Sequence, residues 1–284
     1  MLGKLVPPFV IDYKIMLNIL RHRNESRMAI QETDSKKNAI IIGNGPSLNE
    51  TVKESLQVLQ ENDCFMVNQS AVSDYFEQIR PRYYFTVDPF YFVQKEKNKN
   101  IPALLEAFST KLTWDMTLFA PYEERDSYIV NEYRKHPRIT LIFLNSIPFV
   151  GTERLNEKKW FNYWNQNIMG PLSQTVLNTA LSVAITMKYK NIYLVGADTS
   201  WIEMLRVDQS NNDLYTEEKH FYNIEKRMLF AYNEERSNLA AELESIKRTF
   251  EYYQILKRYA AYNGCKIYNA SSYSLIDCFE RKKL

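Results

Sequence analysis

Residues 40–48 read Ile40-Ile41-Ile42-Gly43-Asn44-Gly45-Pro46-Ser47-Leu48. The uncharged apolar run 39–42 is typical of a strand buried in a parallel sheet. It stops at a Gly-Asn-Gly-Pro-Ser turn, whose glycines permit unusual backbone conformations and leave room for a ligand. Ser47 can cap a following helix, and the free N–H groups at a helix start bind anions. The segment therefore predicts a nucleotide-phosphate loop; a tight turn without a ligand is the alternative.

This loop differs from the two commonest phosphate loops. Leu48 stands where a Gly-x-Gly-x-x-Gly fingerprint has its third glycine, and the turn has no Walker lysine. A ligand at such a turn fits the general position of ligands in open α/β sheets, at the carboxyl ends of the strands.

The composition indicates an ordinary globular protein. The chain has 284 residues, of which 45% are hydrophobic and 25% are charged, enough for one large or two small domains. A net charge of +2 gives no electrostatic case for nucleic acid as a partner. The three cysteines, Cys64, Cys265 and Cys278, lack disulfide or zinc spacing, so a reducing, cytoplasmic location is expected.

The N-terminal part, 1–37, is expected to be a helix and a linker, followed by one catalytic domain at 38–284. Residues 1–20 lack a signal-peptide cleavage pattern, and no run of 18 apolar residues is present. Segment 11–24 reads as a basic amphipathic helix. It either packs on the domain or makes a peripheral contact, through 1–24, with the inner face of the cytoplasmic membrane.

Apolar runs alternate with helical patterns along the rest of the chain. Strands are predicted at 39–42, 65–67, 83–87, 112–120, 139–144, 191–195 and 265–268, and helices at 50–61, 71–79, 123–135, 171–187 and 234–262. We also predict an irregular, lid-like segment at about 146–170 and an active-site loop at 199–225. The pattern predicts an α/β, Rossmann-like, doubly wound, mostly parallel sheet with a small lid subdomain.

Polar or turn-forming residues follow nearly every predicted strand. They are Gly43-Asn44-Gly45-Pro46-Ser47, Asn68-Gln69, Asp88-Pro89, Gly196-Ala197-Asp198 and Asn269-Ala270-Ser271-Ser272. Carboxyl ends of parallel strands share one edge, so these groups predict one crevice whose amides and hydroxyls suit a nucleotide. Each group alone is also compatible with a cap or an Asx turn. No carboxylate or histidine cluster has metal spacing, so no metal is expected.

His220 is the leading acid/base candidate, because an imidazole titrates near neutral pH and this one lies in a polar loop after Asp198. A surface or structural histidine is the alternative. Asp88 can orient a sugar hydroxyl, bind a metal or cap a turn.

Together these motifs resemble the bacterial sialyltransferases that use CMP-sialic acid, over roughly residues 38–278. The resemblance implies a sialyltransferase-like glycosyltransferase fold, His220 as general base, Tyr215 and Tyr222 as hydrogen-bond donors to the departing phosphate, and catalysis without metal. It implies that the nucleotide is held by Gly43–Ser47, Asn68, Gln69, Thr175, Gly196, Asp198, Trp201, Asn269, Ser271 and Ser272. Asp88 is placed in the catalytic set.

The same loop also resembles the domain shared by motility accessory proteins and hydroxymethylpterin pyrophosphokinases. The chain departs from the sialyltransferases at Asp88, where they have Asn, and near Ser173 and Ser200, where they have Arg and Tyr. A carboxylate at position 88 would repel the carboxylate of sialic acid.

The expected function is therefore transfer of a sugar, from a CMP-activated nonulosonate-type donor, to a hydroxyl of a bacterial surface glycan such as lipopolysaccharide or capsule. The expected partners are this donor and a glycan or glycolipid acceptor; a homo-oligomer is a further alternative. The alternatives are an ATP- and Mg²⁺-dependent pyrophosphokinase, with Asp88 and Asp198 as metal ligands, and a non-catalytic nucleotide-binding protein of glycan assembly.

Overall fold

The computed structural model describes residues 30–33, 36–92, 98, 100–145, 157–167, 170, 175–219, 224–229 and 236–284. Its strands, in chain order, are β1 Ala39–Ile42, β2 Asp63–Val67, β3 Tyr83–Phe85, β4 Met116–Pro121, β5 Ile139–Leu144, β6 Asn191–Val195, β7 Leu205–Val207, β8 Leu214–Lys219, β9 Ile224–Met228, β10 Lys266–Asn269 and β11 Glu280–Arg281. Its helices are α1 Leu48–Glu61, α2 Tyr75–Ile79, α3 Asn100–Lys111, α4 Tyr128–Arg134, α5 Glu157–Asn165, α6 Val176–Thr186, α7 Trp201–Met204 and α8 Leu239–Tyr262.

Eight strands form one parallel sheet in the order β11-β10-β6-β1-β2-β3-β4-β5. The chain adds β2 to β5 on one side of β1 and then returns to place β6 on the other side. Strand order therefore reverses between β1 and β6, which is where open α/β sheets bind ligands. The predicted fold class, a mostly parallel doubly wound α/β sheet, is confirmed.

Helices cover both faces of this sheet. Ile41 packs in the cluster that includes residues of α5, α6 and α8, whereas Ile40 and Ile42 pack in the cluster that includes residues of α1 to α4. This alternation is the period-two pattern of a strand buried on both faces, so charge is absent from the whole run.

The segment predicted as a polar loop at 199–225 is more ordered than expected. It contains α7, β7, β8 and the start of β9, and these strands form a small antiparallel sheet in the order β7-β8-β9. Leu214 and Thr216 are buried while Tyr215 and Glu217 are half-buried. Alternate side chains of β8 thus pack inward, which is a short strand signal hidden among polar residues.

The lid-like segment also differs from its prediction where the structure describes it. Glu157–Asn165 is a helix, and Trp160, Phe161 and Trp164 are buried. The Trp164 ring lies edge-on to Tyr259 of α8, with centroids 5.0 Å apart. The large aromatic side chains bury apolar area in the core, so this helix is part of the domain body.

Several boundaries shift. The predicted helix at 71–79 is a 3₁₀ segment, Asn68–Val72, followed by α2, and the strand predicted to begin at 112 begins at Met116. Part of the predicted linker packs on the domain, since Ile30 is buried and the Thr33 amide donates to the Met187 carbonyl at 2.8 Å. Residues 1–29, including the predicted membrane-contact segment, lie outside the described residues. No helix among the described residues is long and apolar enough to cross a membrane.

Candidate active site at the point where strand order reverses

The loops after β1 and β6 interlock through their glycines. The Gly43 amide donates to the Val195 carbonyl at 2.8 Å, and the Gly45 amide donates to the Gly196 carbonyl at 2.9 Å. A Cβ atom on Gly45 would lie 2.3 Å from an oxygen of Asp198, and one on Gly43 would lie 2.3 Å from the Gly196 carbonyl oxygen. The space beside both glycines is therefore filled by the second loop, and is not the opening for a ligand that the sequence suggested.

Asp198 occupies the N-terminus of α1. Its carboxylate accepts a 3.1 Å hydrogen bond from the Ser47 amide and a second hydrogen bond from the Ser47 hydroxyl. Burial raises the pKa of this carboxyl group, and the two hydrogen bonds from Ser47 partly oppose that rise. The Ser47 hydroxyl does not cap its own helix, contrary to expectation. The anion at this helix start is the protein's own carboxylate.

Three carboxamide side chains near the crevice have buried atoms without a partner among the described residues. The Oδ1 atoms of Asn44 and Asn68 and the Nδ2 atom of Asn178 make no hydrogen bond. Asn44 and Asn68 follow neighbouring strands, and Leu177, beside Asn178, approaches Gly43. A buried polar group without a partner costs about 1–3 kcal/mol. These atoms are therefore ready to bond a ligand that has both donors and acceptors.

A group of hydroxyls lies beside this crevice. The Thr175 hydroxyl caps α6 by accepting from the Asn178 amide at 3.2 Å. The Tyr253 hydroxyl of α8 lies beside Thr175 and Thr199, and burial raises its pKa to about 12. Thr199 has a φ of 51°, which is strained for a β-branched residue. Local strain at the end of a strand is common in functional sites.

A cavity of about 370 Å³ opens next to Asp198. Its lining residues are Pro46, Ser47, Asp198, Ser200, Glu203, Met204, Arg206, Glu217, Ser272 and Tyr273. The Tyr273 hydroxyl donates to Glu203 at 2.5 Å. Three carboxylates and one guanidinium make the cavity acidic, which suits hydroxyl groups better than phosphate.

Comparison with known sequences identifies the family. Residues 14–204 match the family described as "MptE-like: 6-hydroxymethylpterin diphosphokinase MptE-like". The chain belongs to the MptE-like family. The resemblance to the domain of motility accessory proteins and hydroxymethylpterin pyrophosphokinases is thereby confirmed. No curated protein matches the sequence.

A solved structure, that of the MAf glycosyltransferase from Magnetospirillum magneticum AMB-1, is similar to this MptE-like chain with a TM-score of 0.50 and 13% identity. The match covers 89% of this chain and 34% of that protein, so the chain spans about a third of its length. At this identity the similarity shows a shared fold.

The remaining strand-end residues of this MptE-like chain have mainly structural contacts. Asn269 is buried, and its Nδ2 donates to the Ser274 hydroxyl and to the Ile276 carbonyl, both at 3.1 Å. The Ser271 hydroxyl accepts from the Ala197 amide at 3.0 Å. Gln69 donates to the Asn100 carbonyl and accepts from the Tyr91 hydroxyl. Their predicted nucleotide contacts stay predictions.

Asp88 lies apart from Asp198. It is exposed, and its carboxylate accepts from the Phe90 amide at 3.0 Å, which is an Asx turn. β3 lies three places from β6 in the sheet. At about 4.8 Å a strand, the ends of β3 and β6 are about 14 Å apart, a separation that argues against one cation bound by both Asp88 and Asp198. Among the described residues, no group of three His, Cys, Asp or Glu side chains is placed to hold a metal ion.

Besides Asp88, the structure describes one predicted catalytic residue, Tyr215, which lies on β8. Tyr215 pairs with Met228 in the antiparallel sheet, and it points to the same side of β8 as Glu217, a cavity residue. Trp201 begins α7 and is half-buried. His220 and Tyr222, like Ser173, lie outside the described residues. The sequence analysis did not predict Asn178, Thr199 or Tyr253 as site residues. For Asn178, a polar side chain early in the apolar helix α6 could have indicated a role in the site.

Proposed function

We propose that the protein is a glycosyltransferase that moves a sugar from a nucleotide-activated donor to a hydroxyl of a glycan, in the crevice between β1 and β6. The observation that carries this proposal is the set of unpartnered carboxamide atoms of Asn44, Asn68 and Asn178 at that crevice. Donors and acceptors of a nucleotide would satisfy them. The fold shared with a protein named as a glycosyltransferase supports the proposal.

The charges suggest where each substrate binds. The cavity beside Asp198 has three carboxylates against one arginine, so it would repel a phosphate and accept hydroxyl donors from a neutral sugar. The acceptor glycan is therefore assigned to this cavity, and the nucleotide to the side with Asn44 and Asn68. A CMP-linked, nonulosonate-type donor and a bacterial surface glycan as acceptor are the finer parts of this proposal.

The proposed chemistry is direct displacement. The acceptor hydroxyl attacks the anomeric carbon, His220 takes its proton, and the bond from that carbon to the phosphate oxygen breaks. Tyr215 and Tyr222 would donate hydrogen bonds to the departing phosphate. This scheme stabilises the leaving group by hydrogen bonds and assigns no role to a metal.

The family description favours a second candidate, diphosphoryl transfer from ATP with Mg²⁺. In its sequence-based form, Asp88 and Asp198 bind the metal. The ends of β3 and β6 are about 14 Å apart by strand spacing, which argues against that pair. The third candidate, a non-catalytic nucleotide-binding protein of glycan assembly, makes the same nucleotide contacts without transfer.

A thermal-shift screen with CMP, CDP, UDP, GDP and ATP, each with and without Mg²⁺, tests the proposal. We expect stabilisation by CMP that is independent of Mg²⁺, and loss of that shift in Asn68→Asp, because the added negative charge would repel the nucleotide phosphate. Asn131→Asp, on the exposed side of α4, is the matched control. Stabilisation by ATP and Mg²⁺ alone would favour the second candidate.

Transfer assays with His220→Ala separate the first candidate from the third. We expect turnover about 10²-fold lower, with nucleotide binding unchanged, because a general base acts on the chemical step. Nucleotide binding without any transfer by the unmodified protein would support the third candidate.

A further inference from the structure

Arg281, near the C-terminus, donates hydrogen bonds to the loop 271–274 from both terminal nitrogens of its guanidinium. Nη1 donates to the Ser271 carbonyl at 2.8 Å, and Nη2 donates to the Ser274 carbonyl at 2.7 Å. β11 pairs with β10, and Arg281 lies opposite Asn269 in this pairing. The backbone of Arg281 is therefore fixed in the sheet. Two donors in a rigid plane define the spacing between two backbone carbonyls, which a lysine cannot do.

The loop 271–274 and the adjacent Leu275 are hydrogen-bonded to the turn that carries Asp198. The Ser271 hydroxyl accepts from the Ala197 amide at 3.0 Å, and the Ser274 hydroxyl donates to the Ala197 carbonyl at 2.7 Å. The Leu275 amide donates to the Asp198 carbonyl at 2.9 Å. A continuous set of hydrogen bonds therefore runs from Arg281 to Asp198, and through its carboxylate to Ser47.

The outer side of the same loop forms one wall of the acidic cavity. Ser272 and Tyr273 line that cavity, and both are exposed on the loop. The Tyr273 hydroxyl donates to Glu203, which also lines the cavity. Any movement of the loop would change the position of this wall relative to Asp198 and Glu203.

We propose that Arg281 is a positioning residue for this cavity. It fixes the loop 271–274, so that the Ala197–Asp198 turn and the wall formed by Ser272 and Tyr273 keep their places. Arg281 itself does not line the cavity, so it acts through the loop. That the cavity holds the acceptor glycan rests on the proposed function; the effect of Arg281 on the loop does not.

Amide hydrogen exchange tests the effect on the loop. In Arg281→Ala, we expect the Ala197 and Leu275 amides to exchange about tenfold faster, because two charge-assisted hydrogen bonds to the loop are lost. The Leu194 amide in β6 should be unchanged. Arg281→Lys should give an intermediate rate, since one ammonium group can hold one carbonyl. Lys283→Ala, which removes an exposed neighbouring cation, is the control.

Unchanged exchange at Ala197 and Leu275 in Arg281→Ala would overturn the proposal, and so would equal acceleration at Leu194. If transfer activity is found, we also expect Arg281→Ala to raise the acceptor KM about tenfold, with kcat within about twofold, because the cavity wall is loosened. A lower kcat with unchanged KM would contradict the role given to Arg281. Failure to find transfer would contradict the proposed function, while the exchange result would stand.

Discussion

At the scale of single residues, the site depends on close approach of two loops. Gly43, Gly45 and Gly196 have no side chains at the contact, and the carboxylate of Asp198 fills the space beside Gly45. From sequence alone, a glycine-rich turn predicts space for a ligand. The sequence does not show that a loop distant along the chain fills that space.

Gly45→Ala should therefore be destabilising. The new Cβ would meet a buried carboxylate at 2.3 Å, so we expect the free energy of unfolding to fall by about 2 kcal/mol or more. Denaturant unfolding measures the change. The comparison variant is Gly264→Ala, where no atom lies within 4 Å and the φ of 72° alone should cost about 1 kcal/mol. An equal or smaller loss in Gly45→Ala would contradict the close contact.

Asp198 should make stability depend on pH. Its pKa is raised in the folded protein above the usual 3.8, so the folded state keeps a proton that the unfolded state has lost. Stability of the unmodified protein therefore falls as pH rises from about 3.8 through the higher folded pKa. Asp198→Asn removes this dependence, although it also loses part of the contact with Ser47.

The measurement is denaturant unfolding of both proteins across acidic pH. The free energy of unfolding of the unmodified protein minus that of Asp198→Asn should fall as pH rises through this window. The same difference taken between the unmodified protein and Asp126→Asn, at an exposed carboxylate, is the control. If the difference between the unmodified protein and Asp198→Asn rises with pH, the fold stabilises the ionised form of Asp198. That outcome would contradict the prediction.

At the scale of elements, α6 connects the core to the site. Its small residues Ala180 and Ala184 are fully buried in the core, and its first turn carries Thr175 and Asn178. The cap therefore has both a structural and a predicted binding role.

Thr175→Ala should lower the free energy of unfolding by about 1 kcal/mol, because the Asn178 amide loses its acceptor. Asn238→Ala removes the corresponding cap of α8, a 3.0 Å bond from the Ala241 amide, and should have a similar effect. Thr175→Ser should keep the stability. Nucleotide binding should weaken in Thr175→Ala alone; equal weakening in Asn238→Ala would indicate a general effect of stability.

Elements were predictable where their own side chains determine them. Strands β1, β5 and β6 have predicted and observed bounds that agree. β1 and most of β6 are apolar runs buried on both faces, whereas β5 is an edge strand that is only partly buried. β7 was missed because none of its three residues is buried, and β8 because, of its described side chains, it buries only alternate residues, Leu214 and Thr216. The pairing of Ser47 with Asp198 joins residues 151 positions apart, so only the folded chain reveals it.

At the scale of the whole molecule, the three cysteines report on global unfolding. All are buried; burial raises the pKa of the Cys265 and Cys278 thiols to about 11, and raises that of Cys64 further. We expect the native protein to resist alkylation near neutral pH, and the denatured protein to react at three thiols per chain. Rapid modification of a native thiol would show local opening at that position. Cys64→Ala keeps two thiols. Loss of the most slowly alkylated thiol in this variant would assign that thiol to Cys64.

The order of the strands has a consequence for synthesis on the ribosome. β1 to β5 can assemble as soon as they emerge, each beside its predecessor, but β6 reaches the free edge of β1 only after residue 195 is made. Until then the most apolar strand of the sheet offers unpaired backbone groups to any neighbouring chain. We therefore expect the crevice between β1 and β6 to form late in folding, and nascent chains halted before β6 to be prone to aggregation and chaperone capture through the unpaired edge of β1.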